Sequence, residues 1–286
     1  MKHEAGCAKA AVFLAAFLLC SVCLQTPVAF AGPFTFTIGI VPQYEQRKLH
    51  AIWKPIVEDL ERKTGFTFHL NSTLTIEKFE RAIERGDFDF IYMNPYHIVQ
   101  VHDSQGYIPL VADRTPLRGI LVVRKDGPIK SPGDLDGKTV AFPSANAIGA
   151  TILPRADLEQ IFHADVKPVY VKTHSSVYLH VVKELASAGG GVEKTLQEQD
   201  DAVKNALRII YRTRVIPSHP VAAHPRVPSG VRETVRRALL DMNNDPEGRA
   251  MLQKVPVGQF VPVGYDDYAV MNSWGVGKYW QPVRGD

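Results

Sequence analysis

Apolar and polar positions alternate along residues 34–41 (FTFTIGIV), which marks a half-buried strand. Pro42–Gln46 breaks that period as a loop. A period near 3.6 then places Ile52, Trp53, Ile56, Val57 and Leu60 on one helical face, ended by Gly65. Phe66–Leu70 is the second strand. Thr75 can cap a helix whose Ile76, Phe79 and Ile83 recur at helical spacing before Gly86. Asp87–Met93 is a third strand, Asn94-Pro95-Tyr96-His97 opens another helix, and Tyr107–Ala112 and Gly119–Val123 are further strands. Up to Ala112 the order is βαβαβαβ, the pattern of a parallel α/β sheet.

A second run starts beyond the turn-rich residues 126–138. Its strands are Thr139–Phe142, Pro168–Lys172 and Leu207–Tyr211, with helices near 150–162, 176–186 and 192–205. Pro154 either kinks the first of these helices or marks its start. Pro217, Pro220, Pro225 and Pro228 punctuate an extended return segment. Ser229 caps a helix carrying Val231, Val235, Leu239 and Met242; Asp245-Pro246 starts another; helix or turn follows near 266–274. Two α/β runs and a helical return imply two lobes joined by two crossings, near Pro116–Gly119 and Thr213–Pro220. Ligands of open α/β sheets bind beyond the strands' carboxyl ends, so the site belongs in a cleft between the lobes.

The stretch 139–158 (TVAFPSANAIGATILPRADL) organises this expectation. A strand turns through Pro143, Ser144, Ala145 and Asn146 into a helical segment from about Ala147. Such a turn aims unpaired N–H groups and a helix dipole at whatever lies in front, which favours an anion. An ordinary βα turn is the plain alternative.

Composition narrows the class. Lys2 and Lys9 precede an apolar run, Ala10–Leu19, and Ala29-Phe30-Ala31 fits a small-x-small cleavage site, so residues 1–31 read as a secretory signal peptide. The run is shorter than the roughly 20 residues of a membrane span. All three cysteines (Cys7, Cys20, Cys23) fall in this leader, which leaves the mature chain without a disulfide, thiolate nucleophile or zinc–cysteine site. Leu19 and Val22 stand where a lipid-anchor motif would have a small residue before Cys20 or Cys23. A formal net charge of +3 gives no strong pull toward nucleic acid. No G-x-S-x-G elbow or histidine metal-ligand spacing occurs, and Asp87/Asp89 fits a strand start better than a glycosidase pair, so an enzyme is not expected.

Four segments, VPQYEQRKLHAIWKPIVEDLERKTG, GDFDFIYMNPYHIV, SPGDLDGKTVAFPS…LPRADL and VKTHSSVY, resemble in order the periplasmic substrate-binding proteins of phosphate/phosphite/phosphonate ABC importers. The resemblance implies a two-lobed α/β type II periplasmic binding protein with a hinge and an interlobe cleft. Residues 32–117 and 219–286 would form lobe I, and 118–218 lobe II. It further implies a periplasmic, monomeric protein with no cofactor or metal. Its partners would be a small anion and an ABC permease; the alternative is a membrane-bound signalling receptor served by the same module with a non-phosphonate ligand. Carried over position by position, it implies an aromatic contact at Tyr44 and contacts at His174 with Thr173, Ser175 and Ser176. Asn94 and at least one of Tyr92 and Tyr96 are expected in the cleft.

Two departures are visible. The family's Ser-Ser-Thr-Ser-Gly anion segment is replaced by Asn146-Ala147-Ile148-Gly149-Ala150, so Asn146, Ala147 and Ile148 are expected to serve through backbone N–H groups and one side-chain amide. Losing three hydroxyl bonds at about 0.5–1.5 kcal/mol each would weaken oxyanion binding unless they are replaced. Near Ala188, where relatives that bind aminoalkylphosphonates carry an acid, the chain reads Ala188-Gly189-Gly190-Gly191, which disfavours an amine-bearing ligand. This glycine run is read as a close backbone approach, a nest of donors or a flexible turn. His219 and His224 are left as hinge or cleft residues.

Overall fold

A computed structural model describes residues 34–72, 75–255 and 257–282. The predicted signal peptide lies outside the described residues. From Thr35 onward the chain forms one compact unit. No described helix is long and apolar enough to cross a membrane.

The elements run β1 (Thr35–Ile40), α1 (Gln46–Thr64), β2 (Thr67–Ser72), α2 (Ile76–Glu84), β3 (Phe90–Tyr92), α3 (Pro95–Gln100), α4 (His102–Gln105), β4 (Ile108–Asp113) and β5 (Leu117–Arg124). They continue with β6 (Thr139–Phe142), α5 (Leu153–Gln160), β7 (Lys167–Tyr170), α6 (His174–Val182), β8 (Ala188–Val192), α7 (Glu193–Gln197), α8 (Asp201–Ala206) and β9 (Leu207–Ile216). The return carries β10 (Pro220–Ala223), α9 (Ser229–Asp241), α10 (Pro246–Lys254), β11 (Phe260–Pro262) and α11 (Asp266–Ala269).

The strands form two sheets, and the fold is mixed α/β. One sheet has the order β11-β4-β10-β3-β1-β2, the other β7-β6-β8-β5-β9. In the first, β1 pairs in parallel with β2 and β3, as the βαβ reading expects. The sheet is not wholly parallel, however. The returning β10 inserts between β3 and β4, antiparallel to both, and β11 adds antiparallel to β4. The residues Val221-Ala222-Ala223 are strand-like in sequence, but the place where a strand from the far end of the chain inserts is invisible to local periodicity. In the second sheet β6 is parallel to β7 and β8, while β5 runs antiparallel to β8 and β9.

The chain passes between the sheets at residues 114–116 and 217–219. The two crossings are tied together: the Ser218 hydroxyl donates to the Asp113 carbonyl. The Asp113 carboxylate accepts N–H bonds from Thr115, Gly258 and Gln259 and pairs with Lys194.

The glycine run is not a turn. Gly189, Gly190 and Gly191 lie inside β8, a central strand. A Cβ at Gly189 would come within 2.5 Å of Val177, one at Gly190 within 2.0 Å of the Ala150 carbonyl, and one at Gly191 within 2.3 Å of the Tyr178 hydroxyl. Bare backbone here lets α6 press on one face and the segment after β6 on the other.

Pro154 marks the start of a true α-helix. The segment before it, Ile148–Ile152, is a single π turn, with the Ile152 N–H reaching back to the Ala147 carbonyl at 3.1 Å. Proline has no N–H, so the π ladder stops there and the Gly149 carbonyl lies over Gly119, where a Cβ would meet it at 2.1 Å.

Candidate functional site

The carboxyl ends of β1, β3, β6 and β7 face one chamber. Its lining includes Val41 and Gln43 after β1, Glu80 on α2, Asn94 and His97 around α3, and Leu117 at the start of β5. Ile76, residues 143–144 and 146–150, and Lys172, His174, Val192 and His219 complete it. The cavity is about 40 Å³, room for about three waters at roughly 10–15 Å³ each. Next to it a wider mouth of about 490 Å³ shares Ile76, Pro143, Ser144 and Lys172 and adds Tyr44, Thr75, Tyr170, Thr173 and Ser176. A smaller recess of about 30 Å³ lies on the other side of His219, with Tyr44, Tyr92, Asp113 and Lys194.

Each wall has a local cause. Asn94 lies just after β3 and caps α3 by accepting the Tyr96 N–H at 2.9 Å, which fixes its side chain at the cavity. Glu80 sits on the apolar stripe of α2 and is buried with it. Its Oε1 accepts from His97 Nε2 at 3.0 Å and its Oε2 from Asn146 Nδ2 at 3.0 Å, so this carboxylate ties the two walls. A carboxylate only accepts; His97 therefore carries its proton on Nε2 in the neutral form. Opposite, the Gln43 amide contacts His219 Nε2 at 2.9 Å, and Tyr92 stacks on the His219 ring at 5.5 Å.

Burial lowers the basicity of His174 and His219. His174, fully enclosed at the start of α6, falls to about 4 through desolvation alone. His219 falls to about 3, first through desolvation and then through His174, His97 and Lys194 nearby. Both are neutral at pH 7. Three buried polar atoms on lining residues have no partner: Ser144 Oγ, His97 Nδ1 and His174 Nδ1. Buried polar groups in a finished protein are normally paired, so these atoms are free to serve a guest.

The expected contacts divide. Asn94, Asn146, Ala147, Ile148 and His174 line the chamber, Thr173 and Ser176 line the mouth, Tyr44 lines the mouth and the recess, and Tyr92 lines the recess. Tyr96 and Ser175 line none of the three. The Tyr96 ring turns away to pack edge-on against Trp280 at 5.7 Å, because its place on α3 faces the C-terminal segment. Thr173 is a helix cap: its Oγ1 accepts the Ser176 N–H at 3.1 Å and donates to Ser176 Oγ at 2.9 Å, so these hydroxyls serve each other. The amide of Asn146, expected to donate to a ligand, is engaged by the protein. Its Nδ2 donates to Glu80 and to the Gln281 carbonyl at 2.8 Å, and its Oδ1 accepts the Gln281 N–H at 2.9 Å. Tyr44 donates to Glu198 Oε2 at 2.7 Å, which with burial drives its acidity down.

Glu80, His97, Gln43, Ser144 and Lys172 were not singled out as ligand contacts from the sequence, while His219, left as a hinge or cleft residue, lies on the return crossing and lines the chamber. Glu80 left a signal, an acid on the stripe marked by Ile76, Phe79 and Ile83. Lys172 left none; it holds a left-handed backbone, φ 75°, and only the fold brings it to the cavity rim. Among the described residues no cluster of histidines, cysteines and carboxylates could hold a metal ion.

Comparison with known proteins now fits this geometry. Residues 38–268 match the model of the ABC transporter phosphonate periplasmic substrate-binding protein family. The chain belongs to that family.

Two solved relatives share its fold. One is a binding-protein component of a phosphonate ABC transporter from Pseudomonas aeruginosa, with a TM-score of 0.76 and 14% identity over 84% of this chain and 85% of that one. The other is PhnD1 from Prochlorococcus marinus in complex with methylphosphonate, with a TM-score of 0.77 and 13% identity over 86% and 98%. The fold is thus that of the two-lobed periplasmic binding proteins. A curated relative of a different kind is the tetrathionate sensor histidine kinase TtrS of Salmonella typhimurium, 25% identical over 251 residues; the match covers 78% of this chain and 42% of that protein.

Proposed function

We propose that this chain is a periplasmic solute-binding protein that captures one small oxyanion between its lobes and delivers it to an ABC importer. The observation that carries this reading is the interlobe chamber of about 40 Å³ with Ser144 Oγ and His174 Nδ1 buried and unpaired on its lining residues. Family membership supports the same reading. The binding groups are the Ser144 hydroxyl, the imidazole of His174 and the backbone N–H groups of residues 144–149. They stand in for the hydroxyl-rich segment that the sequence lacks. The protein acts by binding, as a monomer and without turnover. Its working place is the periplasm, after removal of residues 1–31, and its lobe boundaries fall at the crossings 114–116 and 217–219.

The test is a thermal-shift panel on the mature protein: phosphate, phosphite, methylphosphonate, aminoethylphosphonate, sulfate, tetrathionate, carboxylates and amino acids. An oxyanion at 100 times its dissociation constant should add about 2.7 kcal/mol. A shift from amino acids or carboxylates, with silence from every oxyanion, would overturn the reading.

A second reading is favoured by the tetrathionate kinase, whose 25% identity exceeds that of the two transporter components. Here the same cleft would feed a membrane signalling receptor. A shift from tetrathionate with none from phosphonates, together with a kinase gene rather than permease and ATPase genes beside this one, would decide for it.

A further inference from the structure

The charge around the chamber does not match a simple anion receptor. Glu80 contributes a buried carboxylate to its wall. The one cation lining it among the described residues is Lys172, an exposed residue that is shared with the mouth. Lys194 lies one recess further on and is paired with Asp113. Among the described residues no arginine lines the chamber. Beside the neutral side chains of Gln43, Asn94, Ser144 and Asn146, the wall carries three imidazoles. His97 is held by Glu80, and His219 contacts Gln43 and stacks on Tyr92, while His174 has an unpaired Nδ1.

Burying an anion in such a place is costly unless a countercharge comes with it. Neutral hydrogen bonds alone return little against that cost. His97 has an additional difficulty: with Nε2 donating to Glu80, its neutral form offers a bare acceptor at Nδ1, which cannot donate to an oxyanion oxygen. An imidazole can supply the missing charge without any movement.

We propose that the chamber takes up its oxyanion together with one proton, and that His174 is the residue that receives it. This rests on the oxyanion reading above. The groups facing His174 from the elements around it are Glu80 on α2, His97 on α3, Lys172 on its own loop and His219 on the return crossing, with the Lys194–Asp113 pair beyond. In the empty protein His174 is neutral down to about pH 4. A bound anion favours the imidazolium, so the complex holds one more proton than its separated parts. By linkage the affinity then rises as pH falls, approaching tenfold per pH unit between the free and the bound pKa.

Calorimetric titration of the mature protein decides this, first with sulfate and then with any strong-acid oxyanion of the panel that binds. Such probes do not themselves titrate between pH 5 and 8. Buffers of different ionisation enthalpy report the protons taken up. The expected result is net uptake approaching one proton per anion at pH 6–7, with affinity about tenfold to a hundredfold higher at pH 6 than at pH 8. His174→Gln should lose both the uptake and the pH slope; His219→Gln should bind more weakly but keep the slope. Binding with no proton uptake and a flat pH profile would overturn the proposal while leaving the oxyanion reading intact. A slope that survives in His174→Gln overturns the assignment to His174. Silence from every oxyanion at pH 5, 6 and 7 overturns the oxyanion reading, and this proposal with it.

Discussion

The two lobes meet the same chamber with opposite materials. The first lobe is built on large rings. Phe36, Phe66, Phe68 and Phe90 pack against one another at 5.6–6.5 Å, Phe79 stacks on Phe88 at 5.6 Å, and Trp53 lies against Tyr92 at 4.8 Å. Such a lobe reaches the cavity with side chains: Gln43, Glu80, Asn94 and His97. The second lobe is built mainly on aliphatic side chains, with Tyr178 and Phe142 as buried rings, around three glycines in one strand, and it reaches the cavity through residues 143–150 together with Lys172 and His174. Its close approach is possible because β8 has no side chains at 189–191. One wall is therefore shaped by what the residues carry, the other by what they omit.

Phe90→Ala tests the first wall and should give the largest loss, about 3–5 kcal/mol, because no neighbouring ring can fill the space. Urea denaturation measures it. The titration of stability with acid spans both walls. His174 sits on the second lobe and His219 on the crossing, and each has a folded pKa far below its unfolded value near 6.5. Between roughly pH 6.5 and the folded values the unfolded chain binds more protons, so stability falls as pH falls through that window and is regained above it. The double replacement by glutamine should flatten the midpoint-against-pH curve between pH 6.5 and 4; an unchanged curve would mean that other groups drive acid unfolding.

Gly190→Ala probes the second wall. The added methyl meets the Ala150 carbonyl and the Phe142 ring, and overpacking of this kind costs about 1–3 kcal/mol. A neutral result would show that the strand and the π turn are not in close contact. Tyr44→Phe should have the smallest effect, about 0.5–1.5 kcal/mol for one neutral-donor bond to Glu198. Its use is diagnostic, since the bond joins a residue after β1 to one after α7; a change in ligand affinity larger than the change in stability would place Tyr44 at the guest.

Much of the first lobe was legible in the chain. The stripe Ile52, Trp53, Ile56, Val57 and Leu60 is buried on α1, Thr75 caps α2 with its Oγ1 accepting the Lys78 N–H, and Gly65 closes α1 in a left-handed conformation. These are local signals, and local sterics decide them. The glycine run left close approach, a nest of donors and a flexible turn open, because glycine permits all three; that it means proximity inside a strand depends on α6 and the π turn, which only the fold brings against it. Asn146 was read as a donor to a guest because it stands at the right turn. Only the fold shows Glu80 and Gln281 already holding it.

By itself, then, the sequence determined the succession of strands and helices as far as β7, the two α/β runs and the position of the turn at 143–146, but neither β8 nor β11, nor the break of the helix expected at 192–205 into α7 and α8. Hydrophobic period, caps and breakers act over a few residues, so they can be read in order. The insertion of β10 between β3 and β4, the burial of Glu80 between walls and the meeting of His97, His174 and His219 at one cavity were decided by tertiary structure alone. Each depends on packing between residues distant in the chain, and the cost of burying a polar group is set by neighbours that no local window contains.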